Sequence, residues 1–165
     1  MSYVCTHCGE THEGLPDIAF DRPAYADNVP VEEREKRVQL TADLCIVDNE
    51  YYFIRGVVEI PIHESSESFG IGVWVSQKRE NFETYREQFD TPTIGPFFGW
   101  FSNEFIYSGE RTLNLKTMVH FRGHGMRPRI ELEPTEHPLA VAQREGIPLD
   151  EAWAFVHGMR RNAAT

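Results

Sequence analysis

Residues 43–77 read DLCIVDNEYYFIRGVVEIPIHESSESFGIGVWVSQ. Two runs, DLCIVD and YYFIRGVVEIPI, are rich in β-branched and aromatic residues, which suits pleated strands. Asp48-Asn49-Glu50 between them has the chemistry of a tight turn, so the pair reads as a hairpin. HESSES then supplies a polar return. In FGIGVWVS, Ile71, Val73 and Val75 alternate with Gly72, Trp74 and Ser76, a period of two. Three consecutive strands joined by short polar turns make an antiparallel sheet the centre of the fold.

Outward from this stretch the pattern changes. On the N-terminal side, Pro30 opens VEEREKRVQL, with Glu32, Glu33 and Glu35 ahead of Lys36 and Arg37. Acid first and base last complements a helix dipole, so a helix is expected there. On the C-terminal side, KRENFETYREQF places Phe82, Tyr85 and Phe89 at i, i+3 and i+7, one helical face. Pro92 to Tyr107 is an aromatic loop-and-strand region. TLNLKTMVHF sets Leu113, Leu115, Thr117 and Val119 against Asn114, Lys116, Met118 and His120, again a strand period, and RPRIELE gives a further short strand. His137-Pro138 starts the helix PLAVAQREG, which Gly146 ends. Pro148 opens the last helix, LDEAWAFVHGMRR, with Leu149, Trp153 and Val156 as its apolar stripe. The fold class expected is α+β: a single domain with a mainly antiparallel β-sheet, flanking helices and a loop-rich N-terminal CxxC knuckle. Residues 1–28 form the knuckle-like lead segment, 29–136 the α+β core and 137–162 a C-terminal helical pair.

Length and composition set the outer limits. The chain has 165 residues, 41% hydrophobic and 12% aromatic, enough for one packed domain and too aromatic for a disordered chain. Its net charge is -10, which counts against a general nucleic-acid binder, since that affinity rests on Lys and Arg neutralising phosphates. The first residues lack the basic and apolar regions of a signal peptide. No apolar run approaches the roughly 20 residues of a membrane helix. Three cysteines, two of them closely spaced, do not form an extracellular disulfide framework. A cytoplasmic setting is therefore expected.

Cys5-Thr6-His7-Cys8-Gly9 is the sharpest motif. Two thiolates two residues apart can grip one Zn²⁺ from a turn, and the glycine after them lets the backbone curl back toward the sulfurs. A tetrahedral site needs four ligands, and His12 and Cys45 are the candidates to complete it. Such a closed site would be structural. A redox dithiol and two ordinary reduced cysteines are the competing readings. Cys45 itself sits in an apolar strand, where a small core residue is the ordinary reading.

Residues 111–129 carry five basic side chains and no acid within an acidic chain. His120, Arg122, Arg127 and Arg129 would form an anion site if they converge; the alternative is that they pair with neighbouring acids such as Glu131 and Glu133. His120 and His124 have metal-pair spacing, but glycines flank His124 and the zinc-protease glutamate is missing. VAQREGIPLDEAWAFV has the outline of a helix-turn-helix, yet Glu145, Asp150 and Glu151 would meet phosphates and repel them. Phe97, Phe98, Trp100, Phe101, Phe105 and Tyr107 line either a ligand groove or the core.

Several runs together resemble a bacterial family known only as domain of unknown function 2199: CTHCGETHEGLP, LTADLCIVDNEYYFIRGVVEIPI, FGIGVWVS, GWFSN, LNLKTMVH and RPRIELEPTEHPLAVAQREGI. The resemblance spans Cys5 to Ile147 and includes Cys5, Cys8, Gly9, His12 and Cys45. It implies one domain and supplies no activity, substrate or catalytic residue. No complete catalytic constellation is visible from spacing. Three functions follow as expectations: a non-enzymatic binding module with a structural zinc; an enzyme on a small anion using the His/Arg segment; and an acidic protein that binds a basic partner, as toxin-neutralising proteins do.

Overall fold

The computed structural model describes residues 2–4 and 11–164, with side chains described for residues 14–159. The lead segment contributes β1 (Ser2–Val4) and β2 (Thr11–Glu13), which pair with each other, then β3 (Ile18–Ala19) and the short helix α1 (Ala24–Asp27). Cys5 and Cys8 lie outside the described residues. His12 stands opposite Tyr3 in the β1–β2 ladder, its side chain also outside them.

The helix expected over residues 31–40 forms only in part. A 3-10 turn (Val31–Glu33) leads into one turn of helix, α2 (Arg34–Arg37), and the chain then extends as β4 (Val38–Leu40). The charge order suits a helix, but the segment has no apolar face to bury. Val31 is 72% exposed, and neither helical piece buries a residue. Without tertiary packing a helix this short is not stable, and pairing with β5 (Leu44–Val47) takes residues 38–40 instead.

The hairpin reading holds. β5 pairs antiparallel with β6 (Tyr51–Pro61) across a turn whose Asp48 and Asn49 have φ of 56° and 54°. Residues with short polar side chains tolerate this left-handed backbone best. β6 and β7 (Ser68–Gln77) pair antiparallel from Tyr52↔Gln77 to Pro61↔Ser68. Helix α3 (Arg79–Glu87) buries Phe82 and Tyr85 and leaves Phe89 exposed. The chain then gives β8 (Phe97–Trp100), the small hairpin β9 (Ile106–Tyr107) and β10 (Glu110–Arg111), β11 (Lys116–His120) and β12 (Arg129–Leu132). β11 is shorter than the alternation from Thr112 suggests, because Asn114 turns the chain at φ 68°.

The eight-stranded sheet is mostly antiparallel, with parallel contacts between β12 and β6 and between β3 and β7. Its ends meet. Val75 bridges Phe101, and Ser102 N–H donates to Trp74 O at 2.9 Å, so β8 returns to β7. Strands β7, β6, β12, β11 and β8 thus curl around one core containing Ile54, Val58, Phe69, Val73, Val119 and Ile130. A second cluster, Cys45, Val47, Phe53 and Trp74 with Ala26 and Val29, lies on the other face of β5–β6–β7. Helices α4 (Pro138–Glu145) and α5 (Leu149–Ala164) close the main core with Leu139, Trp153 and Val156. Their connecting turn is tied to the end of β6: Ile147 N–H donates to Pro61 O at 2.9 Å and His63 N–H to Ile147 O at 3.0 Å. No helix among the described residues is long and apolar enough to cross a membrane.

Candidate binding face

Strand alternation sorts β8, β11 and β12 into an inner and an outer side. Val119, Ile130 and Leu132 are buried inward. The residues between them point outward, and the register aligns them in rows. Trp100 lies beside Lys116, Phe98 beside Met118 and Glu131, and His120 beside Arg129, which in turn faces Val57 of β6. Phe98 is 41% exposed and Trp100 43%, and their rings meet edge to face at 5.0 Å. Gly99 between them faces inward, where a Cβ would lie 2.4 Å from Ser76 O. On the far side of β8, Trp100 N–H donates to Ser76 Oγ at 3.1 Å and Gln77 Nε2 to Phe98 O at 3.0 Å. The aromatic pair is therefore displayed on a fastened strand.

A cleft of about 210 Å³ runs along this face. Thr117 and Leu132 are at its floor, Phe98, Met118 and Pro134 form apolar walls, and Lys116, Glu131 and Glu133 stand at the mouth. A larger hollow of about 730 Å³, lined by Asp17, Phe20, Asp21, Arg22, Asp27 and Met159, is wide open. Its Arg22 and Asp27 already pair with each other at 2.5 Å.

The basic segment is met by acids. His120 Nε2 lies 3.0 Å from Glu131 Oε1, and Arg127 Nε donates to Asp43 Oδ1 at 3.0 Å. Arg122 pairs with Glu59 and also donates to Arg127 O at 2.9 Å. Arg111 pairs with Glu104. Arg129 has no acidic partner among the described residues and stands directly opposite His120. The sheet thus gathers His120, Arg122 and Arg129 on one side, where Glu131 and Glu59 already engage the first two. Among the described residues no group of His, Cys, Asp and Glu is arranged to hold a metal ion. His124 sits in a turn at φ 55°.

Cys45 is fully buried in β5 beside Phe53, and burial pushes its thiol up to about 12. In the aromatic segment Phe101, Phe105 and Tyr107 are core, Phe97 is half-buried against Phe121, and Phe98 and Trp100 face water. The sequence signal for this split is the period of two in FFGW, with the one glycine on the inward side. Arg55 carried no sequence signal. It lies over the Trp74 ring at 5.7 Å, with its Nε buried and unpartnered among the described residues. Burial, and then the nearby Arg127, lower its pKa.

His137 caps α4, its Nδ1 accepting from Leu139 N–H at 3.0 Å while Nε2 lies 2.9 Å from Arg111 O. His63 lies 3.0 Å from Glu145 O. These histidines hold elements together and do not face a cleft.

A family model described as an uncharacterized protein conserved in bacteria, DUF2199, matches residues 4–147. No curated protein and no solved structure matches the chain.

Proposed function

The chain belongs to this bacterial family, and on that premise we propose that it is a non-enzymatic binding module. Its contact face is the outer side of β8, β11 and β12, and its partner is a protein segment that combines basic and apolar residues. The observation that carries this reading is the Phe98–Trp100 pair, two large rings held in water on a regular strand beside an apolar cleft. Apolar patches bordered by polar groups mark interaction sites, and aromatic residues concentrate in their centres. A net charge of -10 and the Glu131 and Glu133 side chains lining the cleft favour a basic partner through steering and complementarity, against the Lys116 and Arg129 cations that share the face.

The enzymatic reading has less support. Arg122, Arg127 and His120 already face Glu59, Asp43 and Glu131, so a substrate anion would have to displace a carboxylate at three of the four residues, and Arg129 alone is left to receive it. A structural zinc remains part of the proposal. Cys5 and Cys8 would supply the half-site, with His12 or Cys45 as a further ligand. About one zinc per chain by elemental mass spectrometry, lost in a Cys5→Ser/Cys8→Ser variant, is the expected outcome; zinc-free protein with both thiols titratable refutes it.

The binding proposal is tested with extended peptides of alternating leucine and lysine, or leucine and glutamate. Trp74 and Trp153 are buried, so Trp100 is the tryptophan whose emission reports the face. The Lys/Leu peptide is expected to shift that emission saturably, the Glu/Leu peptide to fail, and a Phe98→Ser variant with unchanged thermal midpoint to weaken binding about tenfold. Equal response to both peptides, or none to either, overturns the proposal.

A further inference from the structure

We infer that the cleft between Phe98 and Glu133 is a seat for one cationic side chain of lysine type, an ammonium on an apolar stem. This rests on the binding reading above and adds the chemistry of its central contact. At about 210 Å³ the cleft is below the roughly 300–1,000 Å³ of sites for whole small ligands, so it is scaled to a single side chain. Its walls are apolar over their length: the Phe98 ring, the Met118 thioether and the Pro134 ring. An alkyl stem meets such walls favourably, and long basic side chains bury their methylenes while keeping the charge at the rim.

The rim carries two acids and one base. Glu131 and Glu133 both line it. Glu131 is engaged by His120 at 3.0 Å. Glu133 makes no ion pair among the described residues, and its backbone N–H donates to Lys116 O at 2.9 Å, which fixes it beside the cleft. An incoming ammonium would find a free carboxylate and an aromatic ring within one opening, and both attract a cation. Lys116 is the opposing element. It also lines the mouth, lies across from Glu133 and forms no ion pair with it, so its own ammonium competes with the guest and limits affinity in the free protein.

These features give a sign for each residue. Removing the Glu133 charge weakens a cationic guest relative to a neutral guest of the same shape, and removing the Lys116 charge strengthens it relative to that guest. The experiment uses the full chain, with N-acetyl-lysine amide and its uncharged analogue N-acetyl-norleucine amide as probes. Amide and methyl chemical shifts at Phe98, Met118 and Leu132 provide the readout. The lysine probe is expected to bind threefold to fivefold tighter than the norleucine probe, the size of an exposed cation–π and charge contribution. Glu133→Gln should abolish that preference, and Lys116→Met should enlarge it, with thermal midpoints unchanged. Equal binding of the two probes, or a preference that survives Glu133→Gln, overturns the cation seat while leaving the peptide-binding face standing. If neither probe perturbs these residues and the Lys/Leu peptide also fails, both the seat and the wider reading are refuted.

Discussion

A methyl group at residue 99 would fall 2.4 Å from Ser76 O and 2.8 Å from Gln77 Nε2. The first neighbour is backbone and cannot rotate away, so Gly99→Ala must push β8 off β7. We expect a loss of about 2 kcal/mol, within the range for forced overpacking, measured by urea denaturation. Gly158 gives the opposite sign. It lies within α5 and a Cβ there meets nothing within 4 Å, so Gly158→Ala should stabilise by roughly 0.5–1 kcal/mol through helix propensity. Cys45 sits between these cases. Its thiol is fully buried and its ionisation suppressed, so in the native protein at pH 8 a thiol reagent should leave Cys45 unlabelled, and denaturation should release it. Rapid native labelling at Cys45 would contradict its place in the core.

At the scale of elements, α4 illustrates a helix specified at both ends. His137 accepts from Leu139 N–H, and Gly146 ends the helix at φ 79° with no room for a Cβ, which would sit 2.9 Å from Pro61 O. His137→Ala should cost about 1 kcal/mol, as other cap losses do. Hydrogen exchange should show it first in the opening turn of α4. Gly146→Ala should cost more, because it strains the backbone and also disturbs the turn tied to β6. Both ends of this helix were legible, since caps and breakers act locally and leave a residue signature. The same holds for the β5–β6 turn. Residues 31–40 show where local signals mislead. Charge order there favours a helix, but Val38 to Leu40 extend because they pair with β5 a few residues further on, and charge order carries no signal of that pairing. The outward orientation of Phe98 and Trp100 was half legible: FFGW alternates, but which side faces the core depends on where β7 lies.

For the whole molecule, buried acids set the response to alkali. Burial raises Cys45 from its ordinary 9.0 to about 12 and Tyr85 from 10.0 to about 12, and it also raises Tyr107, helped by Glu151. The unfolded chain releases these protons first, so above about pH 9 it holds fewer protons than the native state. Stability must then fall as pH rises. The thermal midpoint is expected to decline between pH 9 and 11, and Tyr85→Phe should make that decline shallower. A midpoint flat across this range would show that these groups are more open to water than their packing indicates. The α+β class, the β5–β6–β7 run and the C-terminal helices were present in the sequence as periodicity and turn chemistry. The return of β8 to β7 was not, because a contact between residues 75 and 101 leaves no periodic trace. The ion pairs that neutralise the basic segment were foreseen only in kind: Glu131 is adjacent in sequence, whereas Glu59 and Asp43 are distant and reach Arg122 and Arg127 only through the sheet.

The return of β8 has one more consequence, and it concerns self-association. A strand that carries two exposed aromatic rings and an open row of amides and carbonyls is a template for polymerisation. Here that row is occupied on one side by β11 and on the other by Ser76, Gln77 and the bridge to Phe101. Among the described residues the outer strands of the sheet also include β3, with two residues, and β4, with three, and short edges recruit a neighbouring chain poorly. Loosening the Gly99 contact would free the β7-facing edge of β8 beside its two exposed rings, so Gly99→Ala is expected to raise the tendency of the chain to associate edge to edge as well as lower its stability.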